Sequence, residues 1–310
     1  MHGHDPANLW FALTRAGHYL ACLVLMSVFA FDRVVVGRVL HGAGGALSGW
    51  HDVFGRIVKW ALPVALLTGG WWFALATVAM SGLPVREALA ADTLSVVWNH
   101  THFGWVWKIR LAAWAGTAIV CVALVKVRDV AWPRGLLMWL GLVSSGVLCV
   151  SLVWAGHAEG DGAWQLWGDV VHIGVCGVWP GGLAPLVGVV WGTAEASPGL
   201  ERLVKRFSNW SLTAVVIVSV TGVINAYYLL GGPGNLFATG YGRVLLVKLV
   251  LFGVILGLGA MNRVYLRRGI TTGRNLAKLR MNVAVEIALA VGVVVAVGYL
   301  GLMPPAGHLQ

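Results

Sequence analysis

Charge is scarce in this chain. Asp, Glu, Lys and Arg supply 11% of its 310 residues, less than half the roughly 25% of a soluble globular domain. So few charges cannot cover a water-facing surface, so a soluble enzyme or carrier is excluded. Acid is scarcest, with 12 Asp and Glu against 22 Lys and Arg. Cysteine is rare too. Cys22, Cys121, Cys149 and Cys176 all lie inside apolar runs. No pair sits in an aqueous loop, which excludes a disulfide framework. Small buried hydrophobes is the plain reading of such thiols, and it suffices for Cys121 and Cys149. No ATP-binding motif occurs, which excludes work driven directly by that nucleotide. The N-terminal MHGHDPAN lacks the basic region of a cleavable signal, and the first apolar run has full spanning length, so no cleaved leader is expected.

Apolar length is what the chain has. Hydrophobic residues make up 58% of it, and its mean hydropathy is +0.80. Runs long enough to cross a ~30 Å hydrocarbon core recur eight times, at about 9–31, 57–80, 104–127, 135–156, 169–191, 209–231, 243–265 and 282–303. The expected fold is an all-α polytopic membrane protein with eight transmembrane helices. The connections after spans one, three, five and seven hold 16 of the 22 Lys and Arg, whereas the opposite loops hold only Arg86. Basic loops stay in the cytoplasm, so both termini face the periplasm of a bacterial inner membrane. That distribution accounts for the formal net charge of +10 without nucleic acid as a partner. Many of the 17 Trp lie near span ends, as interfacial belts do. The stretch 84–99 reads as a short interfacial helix.

Histidine follows the opposite bias. His2, His4, His100, His102, His157 and His308 fall outside or at outer span ends, and His18 and His172 lie in outer halves of spans. Only His41 and His51 are cytoplasmic. Eight of ten histidines thus share the face that lacks lysine and arginine, a face suited to a cation arriving from the periplasm.

The chain also repeats itself. His18-x-x-x-Cys22 in span one recurs as His172-x-x-x-Cys176 in span five. Phe54, 14 residues before Thr68-Gly69, recurs as Phe207, 14 before Thr221-Gly222. Thr101-x-x-Gly104 with Arg110 nine residues after the Thr recurs as Thr239-x-x-Gly242 with Lys248 nine after. Ala155-Gly156-His157 recurs as Ala306-Gly307-His308. Four matches in order, at offsets of 154, 153, 138 and 151, imply duplication of a four-helix unit, as 1–156 and 157–310. An even number of spans per unit makes the two repeats parallel, with corresponding residues at similar depth.

The duplicated residues are the candidate site. In each repeat a cysteine follows the histidine by one helical turn on the same face, and imidazole with thiolate suits a soft or borderline metal such as Cu(I). Alternatively each histidine bonds a neighbouring helix and the cysteine only fills space. Asp169, one turn before His172, could accept its second N–H. His157 and His308, with the thioether of Met303, are candidate outermost metal ligands or simply polar helix ends. His102 could join them or sit at the interface. Arg15, Arg110 and Lys248 lie in outer halves of spans, either snorkelling to headgroups or holding an anion between helices such as haem propionates. Asn225 needs a polar partner inside the bundle. Glu286, near the cytoplasmic end of span eight, is an exit ligand, a proton acceptor, or a partner for the basic loop before it. Pro180-Gly181-Gly182 breaks span five, as a transport site or as a packing kink.

DVVHIGVCGVWPGGLAPL (169–186), RFSNWSLTAVVIVSVTGVINA (206–226), YGRVLLVKLVLFGVILGLGAMNR (241–263) and VAVEIALAVGVVVAVGYLGLMPP (283–305) resemble the CopD/PcoD copper resistance family. AGHA (155–158) and THFGWVWKIRL (101–111) also fit. The resemblance implies eight inner-membrane spans. It also implies copper movement from periplasm to cytoplasm, and a periplasmic copper-binding partner of the CopC type. The family pattern reaches His157, His172, Thr221, Asn225, Tyr241, Lys248, Asn262 and Glu286. Pro180 departs from it, and the Met- and His-rich outer loops of some members are missing. The expected function is copper transport, not enzymatic turnover, with copper as cargo. The alternative is a redox protein with haem b between His18 and His172. A third reading is an assembly subunit of a copper enzyme.

Overall fold

The computed structural model describes residues 6–37, 48–127, 131–155, 163–193, 197–267, 269 and 273–309. Every regular element among them is a helix. Eight are long and apolar enough to cross a membrane: Leu9–Val36, Gly49–Ser81, His102–Lys126, Trp132–Val150, Trp164–Gly192, Pro198–Leu230, Gly240–Arg267 and Arg274–Leu300. In chain order these are spans one to eight. The protein is an all-α polytopic membrane protein.

Several helices overrun the apolar runs that announced them. Span six begins at Pro198, with Ser197 accepting from Leu200 N (3.1 Å) as its N-cap. Its first turns carry Glu201, Arg202, Lys205 and Arg206. Hydropathy reports depth in the membrane, whereas a capped, salt-bridged turn continues into water. The stretch read as interfacial is helical over Val85–Ala88 and Ala91–His100.

The two histidine-bearing spans form the centre. In its apolar window span one is 67% buried and span five 50%, against 11–33% for the other six. Small residues permit that approach. A Cβ on Gly181 would lie 2.8 Å from Leu23 O of span one. Span five is continuous only to Val178 and resumes at Leu183. Inside the break Gly181 N donates to Cys176 O (3.0 Å) and Leu183 N to Pro180 O (3.3 Å). Trp179 and Leu183 pack with Phe31 and Phe207 in the main core. The break is thus a kink that seats span five on span one.

The repeated Thr-x-x-Gly sequence makes the same corner twice. Thr101 Oγ1 accepts from Gly104 N (2.9 Å) and donates to Val97 O (2.6 Å). Thr239 Oγ1 accepts from Gly242 N (2.9 Å) and donates to Asn235 O (2.7 Å). A Cβ would fall 2.3 Å from Val97 O at Gly104 and 2.1 Å from Asn235 O at Gly242. Only glycine fits where each short helix turns into its span.

Some arginines of the basic connections also bond the helices. Arg206 donates to Val34 O, and Arg280 donates to Val190 O and Thr193 O. Both satisfy carbonyls left open at helix C-termini. Buried Asp32 accepts from Trp50 Nε1 (2.8 Å), Arg33 and Arg134, tying together the C-terminal end of span one and the N-terminal ends of spans two and four.

Candidate functional site

In the first half His18 lies in span one against Thr68 of span two. Thr68 gives its hydroxyl proton to Val64 O (2.5 Å), so at the imidazole it can only accept. His18 Nδ1 lies 3.0 Å from Ala65 O and 3.2 Å from Thr68 Oγ1, which places the ring proton on Nδ1. Gly69 floors the ring: a Cβ there would lie 3.0 Å from His18 Cε1. Trp72 and Trp107 wall it at ring distances of 5.6 and 5.7 Å. Nε2 is left with its lone pair, and Arg110 of span three takes it through a short hydrogen bond. Arg110 is 1% exposed. It also donates to Leu148 O (3.1 Å) and Ser151 Oγ (2.8 Å) and reaches Cys22 Sγ at 3.8 Å. Cys22 Sγ is itself 3.5 Å from His18 Nε2. A fixed guanidinium therefore occupies the side from which a metal would approach this pair.

The second half builds the same pair and leaves it open. Thr221 gives its proton to Ile217 O (2.7 Å) and accepts from His172 Nδ1 (2.8 Å). Gly222 floors this ring, with a would-be Cβ 3.5 Å from His172 Cε1. Nε2 again carries the lone pair, and among the described residues no side chain donates to it. Lys248 stands where Arg110 stands in sequence. It is half-buried and interacts electrostatically with His172, Cys176 and Asp169.

The remaining predicted residues divide. The Nδ1 partner of His172 is Thr221, where sequence reasoning offered Asp169. Asp169 instead accepts a short hydrogen bond from Asn225 Nδ2, which supplies the partner Asn225 needed. Arg15 neither snorkels nor meets an anion among the described residues. It donates to Gly301 O (2.7 Å) and Tyr19 Oη (3.0 Å) and lies 4.9 Å over the Trp72 ring, pinning span one to the outer end of span eight. His102 stacks on Trp105 with centroids 6.0 Å apart. Met303 packs over Gly240 in an apolar cluster with Leu230, Tyr241 and Leu300. His157 and the side chain of His308 lie outside the described residues. Glu286 accepts from Asn262 Nδ2 (2.7 Å), and most of the basic loop before span eight lies outside the described residues.

Sequence reasoning missed two features. It passed Cys149 over as filler, yet Cys149 is fully buried at the end of span four and packs in one apolar cluster with Cys22 of span one. Thr68 entered only as a repeat marker and Thr221 as a repeat marker and part of the family pattern, neither as a partner of a histidine. Their placement one before Gly69 and Gly222, at an offset of 153 against 154 for the histidines, is the signal that could have paired them. Among the described residues no three His, Cys, Asp or Glu side chains close on a common metal position.

Comparison with known proteins gives one direction. Residues 6–167 match a family model described as copper resistance protein D-like, N-terminal domain, and residues 201–300 match copper resistance protein D. A copper resistance protein D from Pseudomonas syringae pv. tomato is 28% identical over 259 residues, covering 78% of this chain and 81% of the relative. Copper transport protein CutJ of Bacillus subtilis is 27% identical over 266 residues, covering 82% of this chain and 44% of that longer protein. No solved structure matches the chain.

Proposed function

The chain belongs to the copper resistance protein D family, which is copper-related and membrane-embedded, and on that premise we propose that it carries copper from periplasm to cytoplasm across the bacterial inner membrane. Copper enters at the outer face, where the histidines concentrate and basic residues are few. It binds His172 through Nε2, with Cys176 one turn deeper. The observation that carries this assignment is the contrast at Nε2: Arg110 takes it on His18, and no side chain takes it on His172 among the described residues. Thr221 then does for His172 what an outer-shell partner does for a ligating histidine, fixing tautomer and ring orientation. Soft thiols suit Cu(I), so Cys176, Cys149 and Cys22 mark its path through the middle. The two four-helix units, 1–156 and 157–310, are the halves of a duplicated protein in which only the second keeps an open histidine. His157 and His308 collect copper at the rim, and a periplasmic copper-binding protein of the CopC type delivers it.

The haem reading asks both Nε2 atoms to meet one iron, and the Arg110 bond to His18 stands against it. The test is copper accumulation in cells carrying His172→Ala. Copper-dependent growth effects and cellular copper fall to the level of cells lacking the protein. Unchanged cellular copper would sink the assignment.

A further inference from the structure

Span eight carries a carboxylate that the outer corner does not use. Glu286 is 5% exposed, and its flanking residues Val283 and Ile287 belong to the main apolar core. Asn262 of span seven donates from Nδ2 to Glu286 Oε1 (2.7 Å), and Asn282, one turn nearer the cytoplasm, donates from Nδ2 to Asn262 Oδ1 (2.8 Å). The order of the three is fixed, because each amide shows its nitrogen to the next oxygen. The first half has no such chain: at the span-three-to-seven offset of 138, Asn262 corresponds to Leu124.

No cation pairs with this carboxylate among the described residues. Every helix packed on span eight accounts for its charges elsewhere. On span seven, Arg263 donates to Ser208 (3.3 Å), Arg267 lies on the last turn, beyond Asn262, and Arg243 and Lys248 lie at the other end of the helix, roughly 20 Å or more from Asn262 along its axis. On span eight itself, Arg280 bonds Val190 O and Thr193 O, Lys278 lies 5.4 Å over the Tyr265 ring, and Arg274 stands at the helix start. The second segment of span five, Leu183–Gly192, has no charged residue. On span one, Arg15 and His18 belong to the outer half, while Asp32 and Arg33 pair with each other.

A carboxylate at membrane depth needs a neutralising partner, and only a proton or a cation can serve. Among the described residues no hydrogen bond reaches two oxygens of this trio, Glu286 Oε2 and Asn282 Oδ1. That is too few for a hard metal ion, which takes about six oxygens or more, and copper(I) prefers sulfur and imidazole. Two oxygens suffice for one proton. We propose that the Asn262–Glu286–Asn282 chain is a proton-exchange site on the cytoplasmic side of the protein. Resting on the copper-transport reading above, it makes copper passage depend on the pH of the cytoplasmic side. Glu286 Oε2 takes a proton from hydronium in cytoplasmic water, whose O–H bond breaks as the carboxyl O–H bond forms, and returns it to that water in the reverse step, so no proton crosses the membrane. Half-buried Asn282 supplies the polar edge toward the water.

Two measurements separate this inference from the reading it rests on. The first uses no copper: infrared difference spectra of the purified full chain in lipid, taken across a pH series spanning neutrality. The protein shows a carboxylic-acid C=O band that titrates, Glu286→Gln removes it, and Asn262→Ala, which keeps the carboxyl but removes its donor, displaces it. A spectrum unchanged in both variants overturns the proton site. The second follows copper uptake into proteoliposomes over a series of internal pH values, read by a trapped pH dye. Glu286→Gln binds copper as the unmodified protein does, yet its uptake no longer depends on internal pH. Uptake in Glu286→Gln that still follows internal pH overturns the coupling. Failure of copper to bind His172 would instead count against the transport reading and leave the infrared result to decide the proton site.

Discussion

The two halves of this protein carry the same histidine in the same setting and put different cations beside it. His18 and His172 each stand on a glycine, each offer Nδ1 to a threonine of the next span, and each precede a cysteine by one turn. In the first half the third span brings a guanidinium, which forks between His18, Leu148 O and Ser151. In the second half the corresponding position holds Lys248, an ammonium that, among the described residues, makes no hydrogen bond to His172. Arginine presents a rigid set of donors and never gives up its charge, whereas lysine is a compact charge on a flexible stem. In the proposed reading, one such exchange turns a ligand into a structural post. The two corners share a scaffold and differ in chemistry, one closed by a guanidinium and the other open.

That contrast can be broken from either side. Lys248→Arg brings the first half's arrangement to the second and is expected to cost nearly all copper binding, read by copper analysis of the purified protein. Thr221→Val removes the group that orients His172 and should weaken copper affinity by about 10–100-fold, whereas Thr68→Val leaves it unchanged; competition with a copper chelator distinguishes the two. Arg110→Lys converts the first corner toward the second, and its expected outcome is an additional copper per chain, lost again when His18→Ala is added. The smallest effects fall on the shared scaffold. Thr101→Ala and Thr239→Ala each remove one helix cap and should each cost about 1 kcal/mol of stability, measured by thermal unfolding in detergent, with copper binding intact. Unequal losses there would mean that the halves differ in scaffold as well as in chemistry.

Much of this was legible in the sequence, because a membrane writes its demands into composition. Eight spans follow from apolar length. The histidine repeat was legible because it recurs at one offset, and Pro180-Gly181-Gly182 announced its kink through backbone chemistry. Other features depend on partners chosen in three dimensions. Arg110 could snorkel or hold an anion as far as its own neighbours show, but its partners are His18, 92 positions away, and Leu148 and Ser151, 38 and 41 positions away. Cys149 reads as filler until spans one and five are seen on either side of it. Glu286 was visible as a charge out of place, yet the amides that hold it come from Asn262 on another span and Asn282 on its own. A carboxylate's role depends on which donors the bundle delivers, and spacing along one helix does not carry that.

The most direct test of the open and closed corners is copper content of the purified full chain after equilibration with Cu(I), compared between His172→Ala and His18→Ala. The account predicts that His18→Ala retains bound copper and His172→Ala loses it. Copper retained in His172→Ala and lost in His18→Ala would contradict it.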